Sequence, residues 1–259
     1  MTGRITRRFS ELRRQGKKAF IPYVMAGDPD LERTARLIAM LEACGADMVE
    51  LGVPFSDPLA DGPTIQQAAQ RALASHVSLQ TCIGFVAGIR DRTKMPVLLM
   101  TYYNPVFRYG DERFVEDARA AGVDGVIIPD LPPDEAKVLL AAAKKHGLET
   151  VFLLAPTSTA ERIGLVARHS TGFIYYVPIT GITGSKLSID ASLGEQLAKI
   201  RSVSGKPVAV GFGVSTPEEA SAIAAYSDGV IVGSAIVKRA SDPDDELQAY
   251  LMSLREAIR

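Results

Sequence analysis

The chain has 259 residues, 47% of them apolar, and a formal net charge of −1. That length suits one α/β barrel with a large core, and the near-neutral balance excludes bulk attraction to nucleic acid or to an anionic membrane. No apolar run reaches the roughly 18 residues a membrane span needs.

The opening stretch "MTGRITRRFSELRRQGKK" is basic but has no apolar h-region, so no secretory signal is expected and the cytoplasm is the expected location. Within it Ile5, Phe9 and Leu12 fall at i, i+4 and i+7 with Arg and Lys between. This spacing predicts an amphipathic helix with its basic face solvated. Eight short apolar runs then recur, at 19–27, 46–52, 96–103, 124–130, 149–156, 172–178, 207–213 and 228–234. Continuous apolar runs bounded by Gly, Pro and Asp suit parallel strands covered on both faces. Between them lie helical segments. "PDEAKVLLAAAKKHG" places Pro133, Asp134 and Glu135 at a helix start, Lys144 and Lys145 in its last turn, and Gly147 as its stop. "STPEEASAIAAY" offers Ser215 or Thr216 as N-cap and Pro217 at the first helical position.

Regular alternation without a linker predicts a (β/α)8 TIM barrel with an extra N-terminal helix at its bottom, in a single domain over 1–259. An open doubly wound sheet is the rival. No G-x-G-x-x-G follows the first strand, which weakens its dinucleotide-binding version. Cys44 and Cys82 lie in apolar surroundings and are expected to be reduced core residues. His146 and His169 fall in last helical turns, His76 in a loop-like stretch. No metal-ligand spacing and no nucleophile elbow is present, so neither a metal site nor serine chemistry is expected.

In such a barrel the chemistry lies at the C-terminal ends of the strands. Alternation along "DMVELG" puts Val49 and Leu51 on one side, with Met48 and Glu50 on the other. With the apolar pair toward the helices, Glu50 points into the barrel mouth. None of the eight runs contains an Arg or Lys to pair with it. The proline-stiffened loop "PFSDPLADGPT" follows, and Asp61 can fold back over the same mouth. Two carboxylates in one apolar-walled cavity would separate in pKa, the drier one rising. Asp57 and Asp61 also suit plain turn or cap positions. Late in the chain, "ITGITG", "GFGVST" and "GSA" follow the sixth, seventh and eighth runs. Glycine-rich loops on neighbouring strand ends, with Gly211, Gly213 and Gly233 among their glycines, can present main-chain amides to an anion and point to phosphate binding.

The stretches "ELGVPFSDPLADGPTIQ", "GFIYYVPITGITG", "GFGVSTPE" and "VGSAIVK" resemble the tryptophan synthase α subunit family, and the resemblance runs along essentially the whole chain. It implies a lyase that splits indole-3-glycerol phosphate into indole and glyceraldehyde 3-phosphate, with Glu50 and Asp61 catalytic. It further implies Tyr175 in the site, Thr183 and Gly184 on a closing loop, and Gly213, Gly233 and Ser234 at the phosphate. Tyr23, Met100, Ile127 and Phe212 would wall the indole pocket. It implies no cofactor in this chain and a pyridoxal-phosphate-dependent β subunit as partner in an α2β2 assembly, met by Asp57, Pro58 and Asn104. Compared with many relatives, "VPITGITG" lacks an Arg before the closing loop, and Tyr23 stands where Phe is common. A sugar-phosphate isomerase barrel would share the late glycine loops but gives no reason for "PFSDPLADG". A purely regulatory subunit would have no need of Glu50 and Asp61. A free-standing, indole-releasing lyase is the third alternative.

Overall fold

The computed structural model describes residues 3–178, 191–211 and 213–259. Eight strands, β1 (Ala19–Met25), β2 (Val49–Gly52), β3 (Val97–Met100), β4 (Gly125–Ile127), β5 (Glu149–Leu154), β6 (Ile174–Tyr176), β7 (Val208–Gly211) and β8 (Gly229–Val232), form a closed barrel in sequence order. Every neighbouring pair is parallel, and β8 closes onto β1 through Ala19–Gly229 to Pro22–Val232. All eight lie inside the apolar runs read from the sequence, so the barrel expectation holds.

The helices are α1 (Arg4–Arg14), α2 (Leu31–Ala43), α3 (Pro63–Ala74), α4 (Leu79–Ile89), α5 (Tyr103–Tyr109) and α6 (Asp111–Ala120). They continue as α7 (Lys137–His146), α8 (Ala160–His169), α9 (Ala191–Ser204), α10 (Pro217–Ala224), α11 (Ser234–Arg239) and α12 (Asp244–Ala257). Among the described residues, three connections carry more than the single helix that simple alternation requires: β2 to β3, β3 to β4, and the segment after β8. Thr216 is the N-cap of α10 and forms a capping box with Glu219, with Pro217 opening the helix. α7 differs from its expected start. The Glu135 N–H closes a turn onto the Pro132 carbonyl at 3.1 Å, and the helix begins at Lys137. Leu131 and Ala136, both buried, hold that turn against the core, and Pro133 disfavours helical backbone at Pro132.

Strand parity sorts the core into two shells. Val49 and Leu51 join the shell between strands and helices, whereas Met48 joins the barrel interior with Ile21, Leu98, Val151 and Phe173. α1 plugs that interior from the bottom. Its Ile5, Phe9 and Leu12 are buried, and the Phe9 and Phe173 rings lie 5.3 Å apart. Each such side chain contributes about 2 kcal/mol. Gly125 makes room for the helix, since a Cβ there would lie 2.6 Å from Ile5 Cδ1. Glu149 caps it, accepting from the Ile5 N–H at 2.9 Å and the Thr6 N–H at 3.1 Å.

The basic face of α1 is only partly solvated. Arg7, Arg13 and Arg14 are exposed, but Arg8 reaches the buried carboxylate of Asp47 at 2.6 Å. Asp47 also accepts from the Phe20 N–H at 2.8 Å and from Arg255 of α12 at 2.9 Å. Asp124 and Asp228 repeat the device before β4 and β8. Each stands just before an even-numbered strand and accepts the first amide of the strand before it, Val97 at 3.0 Å and Val208 at 2.9 Å. These carboxylates satisfy strand-end donors that the ladder cannot reach.

Cys44 and Cys82 are free and buried, as expected. Among the described residues, no single helix is long and apolar enough to cross a membrane.

Candidate active site

A cavity of about 570 Å³ opens at the C-terminal ends of the strands. Tyr23, Glu50, Met100, Leu153, Tyr175, Gly211 and Ile231 line it from the barrel, with Asp61, Gly213, Ser215, Gly233 and Ser234 from the loops and helix starts above.

Glu50 is fully buried, and neither carboxylate oxygen has a hydrogen-bond partner among the described residues. Burial without compensation pushes its pKa well above the ordinary carboxylate value. A buried carboxyl left unpaired in a fold that satisfies Asp47, Asp124 and Glu149 so fully marks a position held open for something else.

Asp61 is half-buried at the cavity edge. Partial burial raises its pKa, and the hydrogen bond from the Tyr102 hydroxyl opposes that rise. Tyr102 also accepts the Ala60 N–H at 2.9 Å, and its ring lies 5.3 Å from that of Phe55. One aromatic side chain thus fixes the loop that carries Asp61, before Pro63 starts α3. The two carboxylates differ as the sequence reading expects: the drier Glu50 is shifted further.

Tyr23 and Tyr175 flank this pair. Burial first, then the charges of Asp61 and Glu50, raise both phenols well above 10. Each ring needs a neighbouring glycine. A Cβ on Gly52 would collide with the Tyr23 hydroxyl, and one on Gly211 with the Tyr175 hydroxyl. Gly213 adopts φ +73°, and a side chain there would be strained.

Tyr23, Met100, Tyr175, Gly211, Gly213, Gly233 and Ser234 are thus brought together with Glu50 and Asp61, as expected. Ile127 is not. It faces the barrel interior but is fully enclosed among the residues that fill it, and Pro129 reaches the cavity instead. Thr183, Gly184 and Phe212 lie outside the described residues. Asp57 and Asn104 are exposed and Pro58 partly so, all away from the cavity lining. Leu59, 93% exposed, and Phe107, 66% exposed, lie near them in sequence. The sequence reading missed Leu153, Val177, Tyr102 and Lys238. Leu153 and Val177 carry a signal in strand parity. Lys238 closes the "VGSAIVK" stretch, four residues after Ser234. Among the described residues no cluster of three or more His, Cys, Asp or Glu could hold a metal ion.

A family model described as "Tryptophan synthase alpha chain" matches residues 9–258. The tryptophan synthase alpha chain of Geobacter sulfurreducens is 50% identical over 260 residues, covering 98% of each chain. That of Picosynechococcus sp. is 48% identical, also covering 98% of both. Among solved structures, tryptophan synthase subunit alpha from Legionella pneumophila str. Paris superposes with a TM-score of 0.91 at 39% identity, over 100% of this chain and 99% of that one. A chain of tryptophan synthase from M. tuberculosis in an aminoacrylate-bound form gives 0.90 at 37% identity, over 100% of both. A shared fold, near-complete coverage and this level of identity lead to one conclusion: the chain belongs to the tryptophan synthase alpha chain family and is a lyase that cleaves indole-3-glycerol phosphate.

Proposed function

We propose that Glu50 and Asp61 carry the cleavage, with Glu50 as the proton carrier and Asp61 as the charge beside the indole nitrogen. The unpaired, buried carboxyl of Glu50 supports this reading most directly. Burial raises its pKa and so favours the protonated form, the form that can donate to indole C3. Protonation at C3 places positive charge on the ring nitrogen. Asp61, ionised and held by Tyr102, stabilises that charge through the N–H.

The carboxylate that Glu50 has become then takes the proton of the side-chain hydroxyl next to C3. The bond from C3 to the glycerol carbon breaks, its electron pair returns to the ring, and the hydroxyl carbon becomes the aldehyde of glyceraldehyde 3-phosphate. Glu50 ends the cycle protonated as it began. Tyr23, Met100, Leu153 and Tyr175 form an apolar and aromatic wall suited to indole. The strand ends at Gly211, Gly213, Gly233 and Ser234 suit the phosphate, and gripping that end would orient C3.

The family is one of subunits, so a β subunit is the expected partner. We place its contact on the outward side of the loop after β2 and the start of α5, at Asp57, Pro58 and Asn104. An α2β2 assembly, pyridoxal phosphate confined to the partner, and a cytoplasmic setting complete the reading.

The test is indole release from indole-3-glycerol phosphate, with and without a β subunit. Asp61→Asn should slow turnover by about 10²-fold or more while leaving glycerol 3-phosphate affinity nearly unchanged. A variant that lost affinity and kept its rate would assign Asp61 to the phosphate end instead.

A further inference from the structure

Lys238 is the one cation among the described residues that line the catalytic cavity. The same lining holds two carboxylates, Glu50 and Asp61. Lys238 is exposed and makes no hydrogen bond or ion pair with any described residue. Its neighbour Arg239 is occupied: the guanidinium pairs with Asp242 at 3.4 Å and lies 4.5 Å from the centre of the Tyr250 ring.

The position of Lys238 on α11 sets its reach. It stands four residues after Ser234, so the two share a helix face about 6 Å apart along the axis. Helical Cβ atoms tilt toward the N-terminal end. A lysine stem that follows this tilt can reach back along the cavity wall toward the level of Ser234 and Gly233. Basic residues in a last helical turn also offset the carbonyl end of the helix. Arg239 already serves α11 in that way, and such a role does not require a place on the cavity wall.

A phosphate monoester carries roughly −1.5 to −2 charges near neutral pH. Main-chain amides supply donors but no net charge, and the ionised carboxylate of Asp61 makes the cavity unfavourable to an anion. We propose that Lys238 is the counter-charge for the phosphorylated end of the substrate and the residue that makes the site select phosphorylated over neutral glycerol chains. This rests on the reading that the phosphate lies beside Gly213, Gly233 and Ser234. Lys238 acts on capture, not on the proton transfers, so its effect falls on KM and on association.

The experiment compares the unaltered chain with K238Q and K238R. It measures kcat and KM for indole-3-glycerol phosphate and for its dephosphorylated counterpart across ionic strength, and the affinity for sn-glycerol 3-phosphate by calorimetry. In K238Q the expected results are an approximately tenfold rise in KM with kcat little changed, and an equal loss of glycerol 3-phosphate affinity. The preference for the phosphorylated substrate should shrink by the same factor, and the salt dependence of kcat/KM should flatten. K238R should restore most of each. A K238Q enzyme that keeps the preference and the salt dependence of the unaltered chain overturns the role of Lys238 alone. An unaltered chain that uses both substrates equally well overturns the phosphate placement and the proposal with it.

Discussion

Tyr23 and Glu50 are register partners across β1 and β2, yet no hydrogen bond joins them. The tyrosine hydroxyl lies instead over Gly52, in space that any side chain there would fill. Among the described residues Glu50 is thereby left buried and without a hydrogen bond, a setting that raises the pH at which a carboxyl gives up its proton.

That state costs stability, and the cost depends on pH. The folded pKa of Glu50 is raised above its unfolded value, so between the two values the folded chain binds the extra proton. The contribution of Glu50 is most favourable below the unfolded pKa and is lost as pH rises through the folded one. Glu50→Gln should therefore raise Tm, by an amount that grows from acid to alkaline pH. Its turnover should fall by about 10²–10⁴-fold. Thermal melts at pH 5, 7 and 9 check the first statement. A Tm gain largest at acid pH would contradict it.

The pH profile of kcat should be bell-shaped. Asp61 must be ionised, so activity falls on the acid side as it is protonated. Glu50 must be protonated to donate, so activity falls again on the alkaline side. Asp61→Asn should remove the acid limb and leave the alkaline one. Steady-state rates across pH in both proteins decide this, and an acid limb that persists in Asp61→Asn would reassign it.

Gly211 and Tyr175 should be coupled. Gly211→Ala drives a methyl into the Tyr175 hydroxyl and against Ile231, whose Cβ would lie 2.9 Å away. Forced displacement of packed side chains typically costs about 1–3 kcal/mol. Tyr175→Phe removes the oxygen that is struck, so the double variant should recover a large part of the stability lost by Gly211→Ala. A double-mutant cycle on denaturant midpoints measures the coupling, and strict additivity would show that the two do not meet.

Leu59 offers a test of the partner surface. It is 93% exposed, beside Pro58. If a β subunit covers this loop, Leu59→Ser should weaken their association by about tenfold, because burial of one leucine at an interface is worth about 1.5 kcal/mol. Tm of the isolated chain should not move. Titration calorimetry against the β subunit checks both parts, and unchanged affinity would place the contact elsewhere.

The barrel was legible because parallel strands buried on both faces read as unbroken apolar runs, and Glu50 stood out as a carboxylate inside one of them. Strand ends were less legible. "PVLLMTYY" stays apolar past β3, but its last residue already begins α5. The height of Ile127 was not legible either: parity turns it inward, but barrel stagger, which no single strand encodes, sets its level. The start of α7 was misread because Pro-Asp-Glu is helix-start chemistry, whereas burial of Leu131 and Ala136 decides the turn. Arg8 read as a solvated charge because its partner, Asp47, lies 39 positions away in sequence.

Asp47 gives that last pairing a wider reach. One enclosed carboxylate is clasped at once by α1, by α12 and by the Phe20 amide near the start of β1. Neither terminal helix can be trimmed without loosening the other's grip. Shortening the protein from one side should therefore soften it at both, and a fusion or tag that pries α1 away would be felt in α12, a helix it never touches.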